Sequence, residues 1–156
     1  MLRRISLVLT SVAVLFVGTS PSALASPTTE TRHQHKVVET FVDRLPVCGG
    51  AGPRYTITTT ANAVEHVTEF TDGRVHFTFT STGRFVAEPL NNANAPSYSG
   101  KFTIWAGFNQ NKKTANGTFT FNIRGTGSDG STFKVHFVDH FNERPDGTVN
   151  QFFRCH

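Results

Sequence analysis

From Lys36 onward, apolar and polar residues alternate along the chain with a period of two, the pattern of β-strands that lie with one face on a core. The clearest segments are 75–80, 118–123 and 133–137, where phenylalanine, isoleucine or valine occupies every second position. Phenylalanine and threonine, which are abundant, suit a half-buried pleated surface. No stretch of useful length has a helical period. The sequence therefore predicts an all-β fold.

Asp-Gly and Asn-Gly pairs interrupt the alternation and predict tight turns between strands. The resulting seven strands have the approximate ranges 36–44, 54–70, 74–88, 98–109, 118–127, 131–142 and 148–154. No amphipathic helix is present to cover the apolar face. We therefore expect an antiparallel meander of about seven to eight strands that closes into a small β-barrel, with a sandwich as the alternative.

The distribution of side chains between two faces predicts the pairing in two hairpins. A two-residue turn at 72–73 keeps apolar residues together and places His66 on the apolar face. A two-residue turn at 129–130 would mix the faces. A three-residue loop at 128–130, with Gly130 in the left-handed conformation, instead pairs Ile123 with Val135 and is the predicted arrangement.

Two cysteines, Cys48 and Cys155, allow a single disulfide. If seven strands run up and down in turn, the first and the last run in the same direction, and these cysteines lie at the same end. The pair lacks the close Cys-x-x-Cys spacing of redox and zinc sites. The sequence therefore predicts a structural disulfide that ties the first strand to the last.

The N-terminal residues 1–25 have the features of a secretory signal peptide. Arg3 and Arg4 precede the apolar run 5–17, which is too short to span a bilayer. The segment ends in Ala-Leu-Ala, the small-x-small pattern of a cleavage site. We expect cleavage near Ala25-Ser26, and secretion into a compartment where disulfides persist.

After cleavage the chain is expected to consist of a flexible N-terminal segment, 26–35, and a single β-barrel domain, 36–156. This mature chain has no apolar stretch that predicts a membrane span. Thirteen basic residues remain against eleven acidic ones, and the longest basic run is Lys112-Lys113. Because nucleic-acid-binding proteins usually have clustered basic residues, no nucleic-acid partner is predicted.

The segment 118–131 (TFTFNIRGTGSDGS), together with the threonines at 58–60 and the terminal Phe-Arg-Cys at 153–155, resembles small secreted proteins of actinomycetes. The resemblance implies an exported bacterial protein and brings no known catalytic residues with it. In outline the expected topology is also similar to allene oxide cyclase-like and dirigent-like barrels, a similarity of topology and not of motif.

Two ionisable residues, His66 and Asp139, fall in phase with the apolar face. With Phe79, Phe108 and Phe119 they are the candidate ligand-binding residues, in a pocket for a small apolar molecule. His66 and Asp139 are also the catalytic candidates, as a general acid–base pair. The alternatives are a hydrogen-bonded core histidine and an aspartate that faces solvent beyond a bulge.

No nucleophile elbow, zinc motif, phosphate loop or dinucleotide fingerprint occurs, and neither a metal nor a cofactor is predicted. Trp105 falls among polar residues on the other face, where an indole can stack on a sugar or belong to an interface. The favoured function is a secreted protein that binds a small apolar molecule or acts as an extracellular interaction module. The alternative is a cofactor-free isomerase or cyclase.

Overall fold

A computed structural model describes residues 26–50 and 52–156 of the chain. They form one seven-stranded antiparallel sheet in which each strand pairs with its neighbours in sequence. The strands are β1 (Thr28–Arg44), β2 (Arg54–Glu69), β3 (Val75–Pro89), β4 (Tyr98–Gln110), β5 (Ala115–Gly127), β6 (Thr132–Glu143) and β7 (Val149–Cys155). The all-β class and the seven-stranded meander are confirmed. The predicted signal peptide, 1–25, lies outside the described residues.

In this part of the chain, no helix has the length and apolar character needed to cross a membrane.

The first strand begins earlier than the sequence predicts. Residues from Thr28 onward pair with β2, so the flexible segment expected at 26–35 is corrected to strand from that point. The side chains there are polar and exposed, so no apolar alternation marks them as a strand. A bulge after Gln34 interrupts the pairing, and Lys36 adopts a φ of 50° within it. Bulges and charges of this kind protect an edge strand from unwanted pairing.

Three hairpins use the same three-residue loop, in which an aspartate precedes a glycine in the left-handed conformation. The glycines are Gly73, Gly130 and Gly147, with φ between 81° and 85°. Each preceding aspartate accepts a hydrogen bond from the backbone N–H two residues later, over 2.9 to 3.1 Å. The loop predicted at 128–130 is therefore confirmed. The two-residue turn predicted at 72–73 is wrong, because this hairpin uses the longer loop as well.

That single extra loop residue changes which side chains of β2 face the core. Val67 pairs with Phe77, and His66 pairs with Thr78. Since adjacent side chains on a strand point to opposite faces, a shift of one residue moves His66 from the predicted apolar face to the polar one.

The loop aspartates also make stability depend on pH. The backbone N–H of Arg74 lowers the pKa of Asp72, the Ser131 hydroxyl lowers that of Asp129, and the Thr148 N–H lowers that of Asp146. Each folded pKa lies below the unfolded one. The contribution of these ionised aspartates to the free energy of unfolding is therefore complete above the ordinary aspartate pKa. It is lost as the pH falls through the folded values.

We expect the urea midpoint of the wild type to fall more steeply between pH 5 and about pH 2.5 than that of a variant with asparagine at all three positions. Asparagine keeps the accepting oxygen but does not titrate. Equal slopes for the two proteins would show that these loops do not contribute to acid sensitivity.

One face of the sheet carries the core, which lies at the end near the carboxyl terminus of β7. The buried members are Leu45, Tyr55, Ile57, Phe85, Ala87, Ile123 and Val135. The sheet curls around this face: the rings of Phe85 on β3 and Phe133 on β6 lie 6.1 Å apart, although β4 and β5 separate their strands. Both rings pack over Gly125, where a Cβ atom would lie 2.6 Å from Phe133. The apolar face is therefore concave here.

The two outer strands do not meet. Within the described residues β1 pairs only with β2, and β7 only with β6, so the predicted closure of the sheet into a barrel is not observed. The disulfide between Cys48 and Cys155 is confirmed, with a Cα–Cα distance of 5.7 Å. It attaches the loop after β1 to the end of β7. We call the gap between the two edge strands the seam.

Candidate functional site

Away from the disulfide, the apolar face is lined by phenylalanines that are only partly buried. The predicted residues Phe79, Phe108 and Phe119 all lie on it, since Phe79 and Phe119 flank Ala106, and Phe108 pairs with Phe77. None of these four rings is among the buried residues of the core cluster. The three predicted phenylalanines thus share a surface on which apolar side chains still contact solvent.

The most exposed apolar side chains of this face lie along the seam. Val37 and Phe41 belong to β1, and Val149 and Phe153 to β7. Phe153 is 56% exposed and stacks against Phe137, with ring centroids 5.8 Å apart. Solvent-exposed apolar residues therefore line both edges of this gap, and exposed apolar surface of this kind marks binding sites.

Asp139 lies on the apolar face, as the sequence predicts. It pairs with Phe119 on one side and Phe153 on the other, and it is partly buried. The side-chain amide of Gln151 donates hydrogen bonds of 3.2 and 3.3 Å to its two carboxylate oxygens. The carboxylate retains capacity to accept further hydrogen bonds from a ligand.

His66 lies on the opposite face from Asp139, which corrects the predicted pairing. It is exposed, and its Nδ1 lies 2.8 Å from the Thr31 hydroxyl. The sheet itself separates the imidazole from the carboxylate, so the two cannot act on one ligand as an acid–base pair. It is also not a core histidine. The isomerase or cyclase hypothesis therefore loses the pair on which it depended.

Charged side chains of the strands divide between the two faces by sign. Seven of the eight strand carboxylates lie on the apolar face. They are Glu30, Glu39, Asp43, Glu65, Glu69, Asp139 and Glu143. Arg32 lies on the same face and forms an ion pair with Glu30 at 2.7 Å. Its hydrogen bond lowers the pKa of Glu30. The apolar face consequently has a strongly negative margin.

No protein-family model, curated protein or solved structure matches this chain. Function is therefore inferred from the side chains that the two faces present. Within residues 26–50 and 52–156, no three metal-ligating side chains are placed to share an ion.

Sequence reasoning missed the carboxylates and the exposed seam residues of this face. The signal is the odd or even position of each residue along its strand, which assigns it to a face. That signal becomes readable only when the register of all six strand pairs is known, because one shift reassigns a whole strand.

Proposed function

We propose that this is an extracellular binding protein whose ligand is an apolar molecule carrying an amine. The ligand's apolar part lies on the phenylalanines beside the seam, and its ammonium group lies near Asp139. The observation that carries the proposal is the set of solvent-exposed apolar side chains along both sides of the seam, within a negatively charged margin.

The apolar contribution comes from side chains that the protein does not bury by itself. Phe153 and Phe41 are exposed, and Phe79 and Phe119 are partly buried. Each 100 Å² of apolar surface that a ligand removes from water contributes about 2.5 kcal/mol before the costs of association are subtracted. An alkyl chain or a ring system that lies across several of these side chains would gain enough area to bind.

The charge of the face selects among apolar ligands. An ammonium group between Phe119 and Phe153 would donate hydrogen bonds to Asp139, and a carboxylate there would be repelled. The open seam supplies a route by which such a ligand reaches the face without unfolding the sheet.

Isothermal titration with dodecylammonium and with dodecanoate, both below their micelle concentrations, tests the proposal. We expect dodecylammonium to bind and dodecanoate to bind at least about tenfold more weakly, because the two differ in the sign of the head group. Equal binding of both would contradict the charge selection, and binding of neither would contradict the site.

Phe153 and Phe152 provide a matched pair of variants. They are adjacent on the edge strand β7, 56% and 43% exposed, and they point to opposite faces. We expect Phe153→Ser to weaken dodecylammonium binding about tenfold and Phe152→Ser to leave it unchanged. Asp139→Asn should reduce the preference for the amine over dodecanoate. Equal effects of the two serine substitutions would place the ligand elsewhere.

A further inference from the structure

Four cations form a continuous row across the polar face, one from each of four neighbouring strands. Arg84 on β3 pairs with Lys101 on β4, Lys101 with Arg124 on β5, and Arg124 with Lys134 on β6. We call these four residues the cation row. With neighbouring strands about 4.8 Å apart, the row extends about 14 Å across the sheet.

Nothing in the described part of the chain neutralises the cation row. All four side chains are exposed, none makes an ion pair within 4.0 Å, and none donates a side-chain hydrogen bond to another described residue. Like charges directly opposite each other on a sheet are destabilising. Three such pairs in succession are therefore a cost to the fold, which an anionic ligand would relieve.

The remainder of the polar face is also positive. Among the strand residues of this face, the only carboxylate is Glu88, four positions beyond Arg84 on β3, which is about 13 Å along the strand. Arg154 on β7 adds a further cation on the same face. An approaching polyanion therefore meets a field of one sign, which accelerates and strengthens its binding.

The residues beside the cation row carry the groups that bind sugars. Hydroxyl and amide side chains occupy six of the eight positions two residues away along the strands: Thr82, Thr103 and Asn122 on one side, and Ser99, Thr126 and Thr132 on the other. They offer both donors and acceptors to sugar hydroxyls. Single-stranded nucleic acids, by contrast, are held by a positive groove together with several aromatic rings on which successive bases stack.

Trp105 lies on this face, as Phe152 on β7 does, and its indole has the geometry of a sugar platform. Trp105 is 40% exposed, and its indole lies over Gly107, where an added Cβ atom would be 2.8 Å from the ring. The ring therefore lies along the sheet surface and presents a flat apolar face to solvent. Thr80 and Thr120 pair with Trp105 on either side and place hydroxyls beside it.

We propose that the polar face binds an anionic polysaccharide. Its carboxylate or sulfate groups pair with the cation row, and its sugar rings contact the neighbouring hydroxyls and the indole of Trp105. This site is on the opposite side of the sheet from the apolar ligand site and does not depend on it.

Binding of the full mature chain to dextran sulfate, compared with uncharged dextran, tests the proposal. We expect binding to dextran sulfate at low ionic strength, weaker binding as salt is added, and none to dextran. The double variant Lys101→Glu/Arg124→Glu should bind on the order of tenfold more weakly. In the double variant each glutamate would lie opposite one remaining cation, Arg84 or Lys134, and opposite the other glutamate. The like-charge pairs fall from three to one, so we expect the variant to fold.

Lys113→Glu is the control for the double variant, because Lys113 lies in the loop between β4 and β5, away from the cation row. It should leave dextran sulfate binding unchanged, as should Phe153→Ser on the other face. An equal loss in Lys113→Glu would show a response to net charge alone and overturn the proposal. Equally tight binding of a thirty-residue oligothymidylate would overturn the choice of a polysaccharide, and absence of binding to dextran sulfate would overturn the site.

Discussion

Replacing Cys48 and Cys155 with alanine is expected to lower the free energy of unfolding by about 4–5 kcal/mol. The bond joins residues 107 positions apart, and in the chain-entropy treatment a loop of that length gives a stabilisation of about this size. Within the described residues, no pairing of β1 with β7 duplicates the connection. The disulfide is the covalent connection between the two edges of the sheet, and it lies beside the core that keeps the sheet curled.

Urea denaturation of the wild type, the double alanine variant and the reduced wild type measures this effect. The variant and the reduced protein should agree, because both lack only the cross-link. In both we expect amide exchange in β7 to rise first, since this seven-residue strand then depends on β6 alone. An unchanged urea midpoint after reduction would show that the pairing of the strands suffices without the disulfide.

Phe85→Ala is expected to cost about 3–5 kcal/mol, the range for removing a buried phenylalanine side chain. Phe85 is only 3% exposed, and its ring packs with Phe133 over Gly125. The cavity would lie at the point where the sheet curls most strongly and where adjacent strands leave little room to relax.

Phe79→Ala is the matched control, since Phe79 is on the same strand and the same face, six residues earlier. It is partly exposed, so we expect a loss nearer 1 kcal/mol. The difference between the losses of stability in Phe85→Ala and Phe79→Ala measures how strongly packing is concentrated at the disulfide end. Equal losses at the two positions would mean that the apolar face is packed along its whole length and has no surface free for a ligand.

The β2–β3 hairpin shows where face assignment from sequence fails. Val64, Val67 and Phe70 are spaced by three residues, so they do not define one face of a strand, and either loop length can be fitted to them. In 118–123 of β5 and 133–137 of β6 the alternation is unbroken, and the three-residue loop between these strands was predictable. The same Asp-Gly chemistry in both loops was the available signal, and applying it twice would have placed His66 correctly.

Closure of the sheet was predicted because no amphipathic helix covers the apolar face, and the position of the cysteines agreed with it. The structure does place both cysteines at the same end. Cys48, however, lies four residues beyond the last residue of β1, so the disulfide constrains the loop and leaves the strand free. The edge of β1 is charged, and it is bulged at Lys36. These features oppose pairing with another edge. They could not be predicted from the alternation of apolar and polar residues, which indicates only where strands lie.

The cation row could not be predicted as a cluster from local sequence. Its members lie in four different strands, and no two of them are close in sequence. The pairing of Arg124 with Lys134 follows from the correctly predicted loop at 128–130. The rest of the row depends on the registers of the β3–β4 and β4–β5 pairs, which were not predicted. The sequence analysis looked for runs of basic residues along the chain and found none of length. In a meander sheet, basic residues that are far apart in sequence become neighbours on paired strands, so the absence of runs did not exclude a cluster.

The apolar ligand site is tested most directly by isotope-filtered NOE spectroscopy of ¹³C-labelled protein with unlabelled dodecylammonium. We expect contacts from the alkyl protons to the rings of Phe79, Phe119 and Phe153. Because adjacent side chains on a strand point to opposite faces, the same spectrum should show no contacts to Trp105 or Phe152. Contacts to those two rings, with none to the three phenylalanines, would contradict a ligand site on the apolar face.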